Sequence, residues 1–261
     1  MITATRTETR VAVTRPGDGS RVRVEYGAAG GPDWPVIRPV LLSSDARGAY
    51  VSLVPEGALL LADDVVSLRI DVGAGAVLHL VEPAGTVAYD MRGGCASWDV
   101  TVNLGPHSCL AWHGEPFVAS AGSQTVWTTR VSVGQGARFA LRETLVLGRH
   151  GEEPGRVRHE VHVRHSDGRP ILADGIDLAP RGTGIVLGGR RVMGTVLLVG
   201  ADLDWVGRGE VPGTRFDLEA GAALVRTLAD EAHQATDLPT WDAAVAAATE
   251  LAQHPQPWSD L

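Results

Sequence analysis

The chain has 261 residues, 44 % hydrophobic and 21 % charged, and 23 basic against 31 acidic side chains leave a formal net charge of −8. That is enough material for one large domain or two modest ones around a substantial core. The negative balance argues against nucleic acid or an anionic membrane as the main partner, and no run approaches the ~18 apolar residues of a membrane span. Cys95 and Cys109 are the only cysteines, too few for a disulfide framework or a Cys-rich zinc site. Two free thiols in a reducing compartment are expected, with one disulfide between them as the alternative. The N-terminal "MITATRTETRVAVT" alternates polar and β-branched residues without an apolar leader core, so the expected setting is cytoplasmic.

Strict alternation of polar and apolar residues dominates from the start. "RVRVEY" (21–26), "VVSLRIDV" (65–72), "SWDVTVNL" (97–104), "QTVWTTRVSV" (124–133) and "VRHEVHVRH" (157–165) all switch with period two, the mark of half-buried strands. Gly pairs and Asp-Gly, Gly-Pro and Pro-Gly steps punctuate them. "LRIDVGAGAVLHL" (68–80), "VTVNLGPHSCLAW" (100–112) and "TRVSVGQGARFAL" (129–141) share one pattern of strand, Gly-X-X corner and strand. Their first glycines, Gly73, Gly105 and Gly134, recur about every thirty residues, as in a β-solenoid or β-sandwich built of repeats. Positive φ at the corner is the expected reason for glycine; "FDLEAGAALVRTL" (216–228) reads as a degenerate fourth copy. An antiparallel meander would also fit the periodicity.

The C-terminal stretch changes character. In "DLPTWDAAVAAATELAQHPQPW" (237–258), Thr240 is placed to cap a helix and Asp242 to complement its dipole. Trp241, Val245, Ala248, Leu251 and Ala252 form one stripe, and Pro255 and Pro257 end it. The division expected is a β-rich scaffold over 1–236 and a helical tail over 237–261, packed on the body or on a partner. Trp241, and Trp258 beyond the prolines, are the candidate partner anchors.

Few residues suggest chemistry. There is no G-x-S-x-G elbow, and "GAGAVLHL" runs from strand to strand without the helix or Lys-Ser/Thr of a phosphate loop. Period two puts His159 and His165 on the face of Val161 and Val163, with His162 opposite, so three ligands do not converge from that strand. Glu143 in "FALRETLVLG" shares a face with Phe139, Leu141 and Leu145, where a carboxylate needs a partner; Arg149 is the nearest candidate. The crowded "LRETLVLGRHGEEPGRVRHE" (141–160) therefore reads as a structural Glu–Arg corner or as a polar interior path. A β-solenoid carbohydrate-active enzyme using Glu143 and Asp174 as paired carboxylates is the competing class, opposed by only 13 aromatic residues (7 Trp, 3 Tyr, 3 Phe). A β interaction module without a metal role is a third.

Several segments, in order, resemble landmarks of one family. "VPEGALLLADDVVSLRIDVGAGA" resembles the Pro-Gly-Gly…Gly-Asp segment of the urease accessory proteins UreD (UreH in some organisms). "GTVAYDM" is similar to that family's Thr-x-x-Tyr strand, "LAWHGEPFV" to its Leu-x-Trp-x-Pro-x-Pro turn, and "LRETLVLGRHGEEPG" to its Trp-Glu…Leu-Gly-Arg…Gly-Glu segment. "DGRPILADGIDL" and "ALVRTLAD…TW…PQPWSD" resemble two further landmarks, so the likeness spans roughly residues 36–260. Asp63 replaces a family glycine, His113–Gly114 a Pro-Gln, Arg142 a Trp and Asp174 a Glu, and the loop after Arg149 is short. The resemblance implies an all-β, helix-like stack of strands with a small C-terminal helical element. It implies a non-catalytic scaffold that binds apo-urease, UreF and the UreG GTPase, and passes nickel through its interior, with no permanently bound cofactor. On matching positions Asp64, Glu143 and Asp174 would line the nickel path, with Tyr89 and Arg149 as positioning groups.

Overall fold

The computed structural model describes residues 6–31, 35–180, 182–200, 213–235 and 238–249. Strand accounts for 59 % and helix for 6 %, an all-β stack as the alternation requires. The strands are β1 (Arg6–Thr14), β2 (Arg23–Ala29), β3 (Val36–Ser44), β4 (Gly48–Glu56), β5 (Val65–Val72), β6 (Val77–Val81), β7 (Thr86–Ala88) and β8 (Ala96–Leu104). They continue with β9 (Cys109–Ala119), β10 (Gln124–Val133), β11 (Arg138–Leu147), β12 (Arg156–His165) and β13 (Pro170–Leu178). The short helix α1 (Thr183–Val186), β14 (Val192–Val199), β15 (Thr214–Leu218), β16 (Ala222–Ala229) and the helix α2 (Leu238–Thr249) complete the chain.

Two sheets face each other. The first runs β13-β12-β10-β8-β5-β1-β2, and the second β15-β16-β14-β11-β9-β6-β4-β3 with β7 beside β9. Each repeat sends one strand into the first sheet (β5, β8, β10), turns the glycine corner, and sends the next into the second (β6, β9, β11). Like strands of successive coils pair in parallel, so the repeats form a two-sheet solenoid and not a meander. Antiparallel pairs finish both ends: β1 with β2 and β3 with β4 at one, β12 with β13, β14 with β11 and β16, and β15 with β16 at the other.

The three corner glycines occupy equivalent places. Each donates its amide to the end of the strand one layer below, Gly73 to Val13, Gly105 to Val72 and Gly134 to Leu104, at 2.7, 2.7 and 2.8 Å. Their reason differs from the expected one. The left-handed residue is two places later, at Gly75, His107 and Gly136, with φ of 64°, 56° and 65°. The first glycines are required by close stacking: a Cβ on Gly134 would meet Leu104 O at 2.7 Å, and one on Gly105 would meet Ala74 N at 2.7 Å. The supposed fourth copy is no corner at all. Gly221 turns the antiparallel hairpin between β15 and β16.

Apolar faces of the alternating strands turn inward and form one continuous core, including Ile70, Val102, Val131, Leu110 and Phe139. Strands β11 and β14 are buried on both faces, because α2 lies across the outside of the second sheet. Trp241, Ala244, Val245 and Ala248 of α2 meet Cys109, Ala111, Ala140, Val196, Leu198 and Val225. Small residues on both surfaces let helix and sheet approach closely. The helix starts at Leu238, two residues before the expected cap, since Pro239 suits a first turn. Thr240 is thus inside the helix, and its buried hydroxyl has no hydrogen-bond partner among the described residues. Leu251, Ala252, Pro255, Pro257 and Trp258 lie outside the described residues. Both cysteines are free thiols; burial pushes the Cys109 thiol up to about 12.

Candidate functional site

A line of polar groups crosses the apolar space between the sheets. It begins where β6 ends at Val81 and Glu82 follows, while the neighbouring strands β4 and β9 run on. Opposite, the pairing of β9 with β11 slips between Arg142 and Thr144, leaving Gly114 and Glu115 as a bulge. Bulges re-aim backbone groups, and here the Glu115 amide donates to Glu82 Oε2 at 3.2 Å while Trp112 Nε1 donates to Oε1 at 3.0 Å. Arg142 braces the bulge from the other side by donating to Gly114 O at 2.9 Å. Burial pushes the Glu82 carboxyl up to about 7, against the lowering effect of its two donors; the nearby charge of Glu143 adds to the rise.

Glu143 projects from β11 into the same interior and is 8 % exposed. Its partner is His159 of β12, whose Nε2 stands 3.3 Å from Glu143 Oε2 without the alignment of a hydrogen bond. The imidazole lies against Trp127, with ring centroids 4.3 Å apart. Trp127 Nε1, like His159 Nε2, is buried with no hydrogen-bond partner among the described residues. Trp127 and Glu143 line one interior cavity, and Glu143 and His159 a second.

The space beside these groups is narrow. One cavity of about 20 Å³ is lined by Glu82, Glu143, Trp98, Trp112 and Trp127. A second of about 10 Å³ is lined by Glu143, His159, Asp174 and Thr195, and Glu143 stands in the wall between them. Each is the size of about one water or one bare ion. The line ends at Asp174 of β13, paired across the sheets with Arg226 of β16; their side chains, 21 % and 22 % exposed, reach the surface. Among the described residues no three His, Cys, Asp or Glu side chains gather as a metal cage.

The positions expected from sequence divide. Glu143 and Asp174 share a cavity. Asp64 lines neither cavity: it is 1 % exposed and accepts the Leu61 amide at 2.9 Å, closing the turn before β5. The expected Glu143–Arg149 pair is not formed. Arg149 is on the surface, 3.7 Å from Glu152 and with its guanidinium carbon 5.5 Å from the centre of the Tyr89 ring, so Tyr89 and Arg149 do meet, outside the interior line. Arg191 organises that corner by donating to the carbonyls of Leu147, Arg149 and Glu152. Glu152, not Glu153, supplies its acid, accepting from the amides of Arg149 and Ala121. Trp241 is 2 % exposed, edge-on to His113 with centroids 5.5 Å apart; it is held by the chain's own body. Sequence reasoning passed over Glu82, whose only signal was a carboxylate directly after an apolar run.

The ordered likeness seen in the sequence has counterparts in known proteins. The family model described as UreD urease accessory protein matches residues 10–259. Urease accessory protein UreD 1 of Streptomyces griseus is 39 % identical over 233 residues, 86 % of this chain and 85 % of that protein. UreD 2 of Saccharopolyspora erythraea is 34 % identical over 76 % of this chain and 71 % of its own length. UreD of Streptomyces avermitilis is 32 % identical over 69 % and 76 %. This two-sheet solenoid, with its acidic line through the middle, belongs to the UreD family of urease accessory proteins.

Proposed function

We infer that the chain serves urease maturation as a cytoplasmic, non-catalytic scaffold that binds apo-urease, UreF and, through UreF, the UreG GTPase, and helps deliver nickel along its interior line. The observation that carries this reading is Glu143 standing in the wall between two ion-sized cavities, with His159 on one side and Glu82 on the other. Isolated carboxylates and one imidazole bind a borderline divalent cation weakly, whereas a full His/Cys cage would retain it. Weak, successive contacts suit a cargo that must move on. Glu82, whose carboxyl burial holds at about 7, can release its proton when a cation arrives beside it and take one up when the cation leaves, which limits the change of charge in the core.

The carbohydrate-enzyme alternative meets two obstacles. Cavities of about 10 and 20 Å³ are far below the ~300 Å³ of a small-molecule site, and Asp174 is engaged by Arg226. Co-expression with urease and its maturation proteins tests the nickel path. Glu143→Gln and Glu82→Gln are expected to leave the assembled complex intact while lowering the nickel content and activity of urease several-fold. Asp64→Asn is expected to lower the thermal midpoint of the chain, because it weakens a turn. Full nickel loading with both Gln variants would refute the interior path.

A further inference from the structure

Helix α2 covers the outside of the second sheet, but no described element covers the outside of the first. There the parallel register of β8, β10 and β12 lays down two rows of side chains. Thr101, Arg130 and His162 form one, and Asn103, Ser132 and Arg164 the next. These rows floor an open trough of about 530 Å³, ended by the turn that follows β12.

The trough is basic in a chain that is acidic overall. Among the described residues its lining includes two arginines, two histidines, hydroxyls and an amide, and no carboxylate. Its arginines are the under-engaged ones of this face. Arg156 and Arg158 hold Asp177 and Glu160 at 3.0 and 2.6 Å, but Arg130 reaches Asp99 only at 3.7 Å. Arg164 has no ion pair among the described residues. Around the trough the acids are already taken: Asp71 is held by Arg69 and Asn103, Glu160 by Arg158, and Asp167 by Arg169.

We propose that this trough is a docking site for a short acidic segment of a protein partner, whose carboxylates are taken by the guanidiniums of Arg130 and Arg164. The arginine fork matches a carboxylate with two parallel hydrogen bonds, and Ser132 and His162 occupy the diagonal between the two arginines, offering a hydroxyl and a ring nitrogen to the segment's backbone. A continuous polyanion such as nucleic acid or an anionic bilayer would run past the two arginines onto the carboxylates of Asp71, Asp99 and Glu160, whereas a short segment ends before them. This surface is independent of whether the interior carries metal.

The test uses the full chain and a fluorescein-labelled peptide of alternating Glu and Ser, read by fluorescence anisotropy. Saturable binding is expected, absent for the Gln–Ser peptide and weakened as salt rises from about 50 to about 300 mM. Arg130→Glu combined with Arg164→Glu is expected to weaken it by roughly tenfold or more, with an unchanged thermal midpoint. Arg156→Glu with Arg158→Glu, at the other end of the same strand face, is expected to change it little. Absence of peptide binding, equal binding by the Arg130/Arg164 double variant, or binding of phosphatidylglycerol vesicles or inorganic phosphate in the peptide's place would overturn the proposal.

Discussion

Glu82 shows what a single buried acid does to the energetics of the whole chain. Its carboxyl titrates near 4.5 when unfolded and is pushed up to about 7 in the fold. Between those values the folded chain holds a proton that the unfolded chain has lost, so stability falls as pH rises from about 4.5 to about 7 and is flat above. Glu82→Gln is expected to flatten this slope and to raise stability at neutral pH by about 1–3 kcal/mol, measured as urea midpoints across pH. A slope unchanged by the substitution would mean that the carboxyl is solvated after all. Glu82 was invisible in the sequence because "VEPAG" reads as a strand end and a turn, while its donors Trp112 and Glu115 lie some thirty residues on. Glu143 was legible as an acid among apolar neighbours, yet its partner was misread. Arg149 is close in sequence, but the corner turns it to the surface, and the next strand brings His159 across. Spacing within one strand assigns the face of a side chain; it does not assign the neighbour it meets on another.

At the scale of elements, the corner glycines make a sharp distinction. Gly134→Ala puts a methyl against Leu104 O and Gly105 C, each 2.7 Å away, and is expected to cost about 1–3 kcal/mol by overpacking. Gly17→Ala, with nothing within 4 Å of the new methyl, is expected to be near neutral. Equal thermal midpoints for the two variants would deny the stacking role. Strands β5 and β10 were legible to the residue, since one wet and one dry face impose period two. The parallel coil was legible only as a recurrence, because "VTVNLGPHSC" is compatible with a hairpin until the register of its neighbours is known. Strands β11 and β14 carry no clean alternation: their outer faces are also dry, under a helix that belongs to the far end of the chain.

For the molecule as a whole, α2 is part of the body. Trp241→Ala removes the largest side chain of the interface with the second sheet and is expected to cost about 3–5 kcal/mol, with exposure of the apolar strip at Ala111, Ala140 and Val196. Dye binding to apolar surface and the thermal midpoint report both effects. An unaltered midpoint would return Trp241 to the role of a free partner anchor. No described helix is long and apolar enough to cross a membrane.

The antiparallel finish at both ends of the coil has an architectural consequence. A stack of parallel strands with bare ends would template its own copies and grow into fibres. Here the outermost strands carry devices against that growth: Arg23 and Glu25 in β2, Arg38 and Pro39 in β3, Pro170 in β13, and Arg215 with Asp217 in the five-residue β15. The solenoid is therefore modular in the middle and final at its ends. It can be lengthened only by splicing a complete strand–corner–strand unit between β5 and β12, which would stretch the interior acidic line by one layer and leave both terminal caps as they are.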